Sequence, residues 1–564
     1  PIMAENKPKS REEQILQDVK DLHQLGYAQK LFREMGGFSN FAISFSIISI
    51  LTGAMLLYGY GLKFAGPIIN TVGWPLVSVF VLMIAASMAE IASAYPTAGG
   101  LYYWSSRLGG RAAGWWTAWF NMMGQLTITA GIDIAAAMYI VGMLQGFFGI
   151  PNDAPALGGI FGWTWTSWGF YIFVMSLIMI PQMLINIYGI RLTALLNDFS
   201  VYWHIGGVFI IAILLFFFGK THNSWSFMLS TQTVVNPLDA SSATFPDGTV
   251  GPALVVGPLV LHSPLFSLFP GLVTLYKTAP FWLVFTLAFL QAQWTYTGYD
   301  ASAHVAEETV MARLNSAWGV FLSVAVSAVV GYLVLMAFTS AIPDVAETAL
   351  APNPVLFIAY SNLSKFLGDI VAIIVAGGMW LCGLSSITSM SRMFFAFGRD
   401  GGMPFAELFY DIHPKLRTPV KSIIITSVIA ILLTVYSAAY FVVTSISTIT
   451  LYIAYNLPTF FNLRNKLLGK GEFTTKETAP WSLGKWGPII NLIAVVWAVF
   501  IIILFCLPPN ELVLWTMIVF VILLAIYWFG YANKHFTGPR KASEEELKKI
   551  EEELARLAKG RGDD

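Results

Sequence analysis

The feature that most constrains this chain is a succession of long apolar runs. Each is close to the ~20 residues that a helix needs to cross a hydrocarbon layer. Twelve can be read, at 38–62, 74–95, 112–143, 168–187, 192–218, 281–305, 317–342, 370–395, 422–438, 440–461, 489–507 and 512–529. Hydrophobic residues make up 56% of the 564 and charged residues only 11%, where a soluble domain averages about 25% charged. Mean hydropathy is +0.67. Too little polar surface exists to keep such a chain in water, whereas lipid accepts apolar side chains on the outside. The expected fold is an all-α polytopic membrane protein with 12 transmembrane helices. Its divisions are an N-terminal segment (1–36), the spans (37–532) and a C-terminal tail (533–564).

Loop charges set the orientation, because lysine and arginine collect on the cytoplasmic side. With the N-terminus inside, the inner loops carry Arg107, Arg111, Arg191, Arg313, Arg399, Lys415, Arg417, Lys421, Arg464, Lys466, Lys470, Lys476 and Lys485. The outer loops carry Lys63, Lys220, Lys277 and Lys365. Both termini are therefore expected in the cytoplasm. The charged start (Lys7, Lys9, Arg11, Glu12, Glu13) lacks a secretory signal, so the first apolar run is expected to direct insertion.

Residues 252–276 are apolar enough for a thirteenth span. Pro252, Pro258, Pro264 and Pro270 recur along it, and each interior proline costs a helix about 3 kcal/mol. A further span would also invert the charge bias after it, so the stretch is expected to be an outer loop. Ser543 and Glu546 form a capping-box pattern ahead of the charged tail. That tail and residues 11–34 read as solvated helices.

Glycine interrupts two of the runs. The first contains Ser49-Ile50-Leu51-Thr52-Gly53 and the sixth Trp294-Thr295-Tyr296-Thr297-Gly298-Tyr299-Asp300. They lie at the starts of two five-span halves. Helices broken at matching positions of inverted repeats expose backbone N–H and C=O groups that can hold the charged ends of a solute. Glycine also serves close packing between membrane helices.

These residues carry a family resemblance. The stretch 36–53 resembles the first span of the amino acid/choline transporters, a branch of the amino acid–polyamine–organocation superfamily. EIASAYPTAGGLYYW (90–104), TGYDASAHVAEET (297–309) and RMFFAFGRDGGMP (392–404) resemble that superfamily's motifs after spans 2, 6 and 8. The resemblance covers about 25–531. It implies two inverted five-helix repeats plus two helices, with spans 1 and 6 broken. Spans 1, 2, 6 and 7 would rock as a bundle against a scaffold. Thr52 and Gly53 would offer amides to a carboxylate. Carbonyls near Ser49, Ile50 and Trp294 would accept an ammonium, with Trp294 as aromatic gate. Tyr296, Thr297 and Gly298, next to Trp294 in the sixth run, are further substrate-binding candidates. This chain has Leu51-Thr52-Gly53 where many relatives have Gly-Ser-Gly.

Polar residues inside spans are costly and are candidates by default. Asn121, Gln125, Thr129 and Asp133 recur every four residues, along one helical face. Asp133 attracts a solute amine or pairs with a neighbouring helix. It lies ~30 Å along the third run, toward the outer end. Asn197, Ser200 and His204 share a face of the fifth, with His204 ~18 Å in. His204 falls where some relatives carry a lysine in place of a sodium ion, which implies proton coupling or plain exchange. Ser385, Ser386 and Ser389 would complete an ion site in sodium-coupled cousins, or bond their own helix. Trp294, Tyr296 and Tyr299 suit a quaternary ammonium through cation–π attraction. Glu90, Arg107, Glu307, Glu308, Arg392, Arg399 and Asp400 are candidate gating charges.

The formal net charge is zero, which suggests no nucleic-acid partner. Cys382 and Cys506 sit in apolar runs as packing residues. No phosphate-binding loop, His-rich metal motif or nucleophile elbow is present, so neither an enzyme nor a cofactor is expected. A channel would more often repeat a filter around an axis. The expected function is secondary transport by alternating access, the reading that two broken helices favour over a channel, in the cytoplasmic membrane. Amino acids, γ-aminobutyrate, choline and similar amines are the solute candidates, with a proton or a sodium ion as coupling partner.

Overall fold

A computed structural model describes residues 10–540 except 257–258 and 437–439, together with 543–545, 547–549 and 552. Helices dominate. With no water in the hydrocarbon layer, backbone polar groups must be satisfied within the protein, and an intrahelical ladder does this within each segment. In chain order the principal helices are α1 (Arg11–Gln24), α2 (Gly37–Ile48), α3 (Gly53–Leu56), α4 (Tyr58–Ala65), α5 (Trp74–Ala94) and α6 (Leu101–Gly109). Next come α7 (Arg111–Phe148), α8 (Trp168–Tyr188), α9 (Ile190–Phe218), α10 (Phe281–Leu287), α11 (Leu290–Thr295) and α12 (Ala301–His304). The remainder are α13 (Ala312–Ser340), α14 (Lys365–Arg399), α15 (Val420–Tyr436), α16 (Tyr440–Leu468), α17 (Gly487–Leu504) and α18 (Glu511–Tyr527).

Among the described residues, nine helices are long and apolar enough to cross a membrane. The number is ten if Gly271–Thr278 and Phe281–Thr295, bent by 88°, count as one. The difference from twelve apolar runs has a physical origin. α15 has only 17 residues. α16 is long enough but buries Thr444, Ser445, Ser447, Thr448 and Thr450 along one stretch. The sixth run is divided into shorter helices, whereas the first, though interrupted, still counts as Gly37–Leu56.

Leu195, Phe199, Tyr202 and Phe217 of α9 and Leu523 and Ile526 of α18 are exposed. An apolar outer surface of this kind belongs in lipid, not water. Inside it, α13 packs on α5 and α2, while α7 packs on α14 and α16. α2 lies between these groups and also touches α9 and α14.

Residues 252–276 form no continuous helix. Strands β1 (Ser242–Thr244), β2 (Val250–Val256) and β3 (Leu259–His262) make an antiparallel sheet in the order β1-β2-β3. Two short helices, Pro264–Leu268 and Gly271–Thr278, follow. Glu511 at the start of α18 anchors them, accepting bonds from the Ser263 hydroxyl and the Leu265 amide.

The N-terminal segment departs from a solvated helix. α1 begins with a capping box between Ser10 and Glu13 and ends at Gln24, ahead of Gly26 at φ 97°. Beyond it the chain runs as a strap that buries Tyr27, Gln29 and Arg33. Asp18 caps α13, accepting from the amides of Met311 (2.7 Å) and Ala312 (3.0 Å), where the helix dipole favours a carboxylate. Burial pushes the Asp18 carboxyl above its usual value, against the pull of Arg33 and those two amides. The capping box expected at Ser543 lies, through Glu546, outside the described residues.

Candidate functional site

α2 stops because Ser49 adopts a left-handed conformation, φ 36° and ψ 84°, uncommon for a residue with a Cβ. The carbonyl of Ser49 then accepts the amides of both Thr52 (2.7 Å) and Gly53 (3.1 Å). The Ser49 hydroxyl bonds Thr52 Oγ1 (2.6 Å) and His204 Nε2 (2.7 Å). The freed carbonyl of Ile47 is met by the thiol of Cys382 at 3.2 Å. The amides of Ile50 and Leu51 make no backbone hydrogen bond among the described residues.

The second interruption lies between α11 and α12. Gly298 supplies its turn at φ 85° and donates its amide to the Tyr455 hydroxyl (3.0 Å). The exposed carbonyl of Tyr296 is taken by Tyr452 (2.7 Å) and that of Tyr299 by Ser44 (2.8 Å). The two interruptions meet backbone to backbone. A Cβ built on Gly53 would stand 2.6 Å from the Cα of Thr295. Glycine is required there by the close approach.

Between them is a cavity of about 10 Å³, near the volume one water needs. Thr52, Gly53, Thr295 and Thr297 give it a polar side. Ile47, Ile128, Ile132 and Trp294 give it an apolar side. The Trp294 indole N–H donates to Ser447 of α16 (2.9 Å), which fixes its ring.

The sequence candidates divide between this cavity and its surroundings. Thr52, Gly53, Trp294 and Thr297 line it, and Ser49 and Ile50 form the adjoining turn. Tyr296 is held elsewhere, by Ser78 (2.6 Å) and against the Trp74 ring. Tyr299 packs on Tyr455, so of the three aromatic residues only Trp294 faces the cavity. The polar stripe of α7 is fully enclosed by protein. Asn121 and Gln125 bond Asp300, and Thr129 meets Ser386 (2.6 Å). Asp133 accepts from Gln182 (2.9 Å) and lies against Gly383 of α14, away from the cavity. Ser385 donates to Asn197 (2.6 Å).

His204 has a definite tautomer. Its Nδ1 stands 2.8 Å from the Ser200 carbonyl. A carbonyl only accepts, so Nδ1 carries a proton, and in a neutral ring Nε2 is then free to accept from the Ser49 hydroxyl. The neutral ring satisfies both contacts.

A cluster around Asp300 was not foreseen in full. Besides Asn121 and Gln125, its carboxylate meets Tyr455 (2.8 Å) and His304 (3.0 Å). The signal was in the sequence: Asp300 and His304 are four residues apart, a spacing that brings side chains together on a helix.

The end of the bundle that carries α1 is closed by ion pairs. Glu307 binds Arg399 (3.0 Å), Glu308 binds Arg392 (3.1 Å), Glu90 binds Lys466 (2.5 Å) and Arg107 binds Glu472 (2.8 Å). Asp400 accepts from Tyr27 (2.7 Å) and Tyr102 (3.0 Å). Burial pushes the Glu307 carboxyl up. Arg399, the Ala98 amide and Arg33 more than offset this and hold it below its usual value.

Residues 35–528 match the amino acid permease family. The chain is 32% identical to amino-acid permease BAT1 of Arabidopsis thaliana over 544 residues, covering 92% of this chain and 95% of the relative. It is 32% identical to the BAT1 homolog of Oryza sativa subsp. japonica over 507 residues, 87% of each. An uncharacterized amino-acid permease of Schizosaccharomyces pombe, C74.04, is 25% identical over 547 residues, 93% of this chain and 87% of the relative. The chain therefore belongs to the amino acid permease family, and it is an integral membrane transporter, not an enzyme.

Proposed function

We propose that the chain is a secondary transporter that carries amino acids or related amines by alternating access. The observation that carries this reading is the contact between two helix interruptions, at Gly53 and Thr295, with a small cavity beside it that residues of both interruptions line. In this reading the twelve apolar runs all span the membrane, as two inverted five-helix repeats plus two helices. α2–α4 and α10–α12 are its broken spans 1 and 6. Both termini lie in the cytoplasm, the membrane is the plasma membrane, and the ion pairs at the α1 end form the inner gate.

The solute's carboxylate takes amides of the first interruption: those of Ile50 and Leu51, or those of Thr52 and Gly53 after they leave the Ser49 carbonyl. Its ammonium takes carbonyls near Ser49, Ile50 and Trp294, with Trp294 as a lid. A cavity of about 10 Å³ is too small for any of these solutes. Binding therefore requires α2 and α11 to separate, which is the motion alternating access needs. Among the described residues no carboxylate side chain lines the cavity, so amines without a carboxylate would have to rely on carbonyls and Trp294 alone. That difference favours amino acids, including γ-aminobutyrate, over choline.

Coupling is to a proton or to solute exchange. The hydroxyls of Ser385 and Ser386 are engaged with Asn197 and Thr129, which gives a sodium ion no ready set of ligands there. The test is uptake into proteoliposomes of labelled amino acids, γ-aminobutyrate and choline, without ATP and under a proton or a sodium gradient. Saturable amino-acid uptake driven by protons or by internal solute is expected. Uptake that needs sodium would overturn the coupling, and a flux that never saturates would overturn the carrier reading.

A further inference from the structure

Asp300 is wholly buried and receives four hydrogen bonds. Asn121 and Gln125 approach through their amide nitrogens, at 3.0 and 3.1 Å. The Tyr455 hydroxyl accepts the Gly298 amide and so turns its own hydrogen toward Asp300. These three partners donate to Asp300. His304 is the fourth partner. Its Nε2 faces that carboxyl group at 3.0 Å and its Nδ1 faces the Ala98 carbonyl at 3.2 Å. The Ala98 carbonyl only accepts, so Nδ1 carries a hydrogen, and a second hydrogen lies between Nε2 and the Asp300 carboxyl, which the two groups share. His204 differs, because its hydroxyl partner can donate or accept and a neutral ring suffices.

Among the described residues, the charged groups on the elements packed against the pair are engaged elsewhere. α12 packs against α2, α13, α14 and the turn at 306–308. α2 brings no titratable side chain. Arg313 of α13 donates to the carbonyls of Ser93 and Thr478. Arg392 and Arg399 of α14 are engaged by Glu308 and Glu307 of that turn. On α7, Asp133 bonds Gln182. On α16, Tyr452 bonds the Tyr296 carbonyl and Tyr455 bonds Asp300 itself.

We propose that Asp300 and His304 together form the proton-carrying site of the transport cycle. The proposal rests on the reading of the chain as a proton-coupled carrier. In the sealed arrangement the pair holds one proton more than a carboxylate beside a neutral imidazole, and its charges sum to zero. Losing that proton leaves one net negative charge in a buried site, and it leaves the ring one hydrogen for two acceptors. Both are unfavourable away from water. The proton therefore leaves to water only when the site opens. Opening separates the α12 residues from Asn121, Gln125 and Tyr455, which belong to α7 and α16. The proton enters from water on one side and is returned to water on the other, and no electrons move. His204 acts as a positioning residue that holds the Ser49 turn.

The experiment uses the full chain in proteoliposomes, with labelled alanine, γ-aminobutyrate and choline as probes and a pH-sensitive dye in the lumen. Solute counterflow measures carriage itself, and loss of counterflow in the wild type would remove the transport reading, not only this site. Wild-type accumulation down a proton gradient, with matching dye change, is expected. His304→Gln and Asp300→Asn should each lower accumulation relative to counterflow by roughly tenfold or more. An unchanged ratio in either variant, or wild-type counterflow with no proton movement under any gradient, would overturn the proposal. Should neither variant fold, His204→Ala decides: proton movement per solute kept as in the wild type supports the pair, and its loss assigns the proton to His204.

Discussion

Gly53 and Thr295 hold the two interrupted helices in backbone contact: a Cβ on Gly53 would stand 2.5 Å from Thr295 Oγ1 and 2.6 Å from its Cα. The obstacle is main chain, so a side chain there cannot be accommodated by rotating a neighbour. Gly53→Ala should cost about 1–3 kcal/mol of stability, as overpacking does. It should also raise the KM for uptake, which a thermal-shift assay and a concentration series would read together. A variant with wild-type KM and unfolding temperature would show that the helices part freely.

His204 joins the Ser49 turn to α9. His204→Ala leaves the Ser49 hydroxyl without this partner, a loss of about 1–3 kcal/mol for a buried polar group. The expected result is a lower unfolding temperature and slower uptake, with the pH dependence of uptake retained. A flattened pH profile would instead make His204 a titrating group of the cycle.

Tyr455 links Gly298 to Asp300 through one hydroxyl. Tyr455→Phe removes both bonds and leaves the Gly298 amide and Asp300 Oδ1 unpaired. Hydrogen bonds to charged groups contribute about 1.5–3 kcal/mol, so uptake should fall about tenfold or more while the ring still packs on Tyr299. Uptake equal to that of the wild type would show that Asp300 does not need this donor.

Glu307 and Arg399 form a buried pair at the α1 end. Its carboxyl is held below its usual value, so its contribution is complete above the unfolded value of ~4.5 and is lost as pH falls through the lower folded value. Glu307→Gln should destabilise the neutral-pH protein by about 3–5 kcal/mol, because Arg399 keeps its charge without its partner. It should also flatten the acid limb of the stability curve. Unfolding temperatures of both proteins between roughly pH 7 and pH 3 test this, and parallel acid limbs would show that Glu307 contributes none of the slope.

Much of the architecture was legible because lipid imposes long apolar helices, and the apolar runs at 74–95 and 112–143 became α5 and α7. The two glycine-marked interruptions were legible too, through Gly53 and Gly298. Ser49 was not: its left-handed backbone is imposed by the surrounding contacts, and nothing in a serine announces it. Asp133 shows a second limit. Its place on the stripe with Gln125 was readable, but which neighbour meets each turn of α7 depends on packing. One turn reaches Asp300 and another reaches Gln182. The N-terminal strap has a charged sequence, which by itself suggests a solvated segment. Asp18 and Arg33 are buried because α13 and the turn after α12 supply their partners.

The most direct test of a solute site between the two interruptions is counterflow of labelled amino acids into proteoliposomes by the wild type and by Thr52→Trp. Saturable counterflow in the wild type and its loss in a folded Thr52→Trp protein are the expected results. Counterflow of the same KM and rate in Thr52→Trp would place the solute elsewhere and contradict the account.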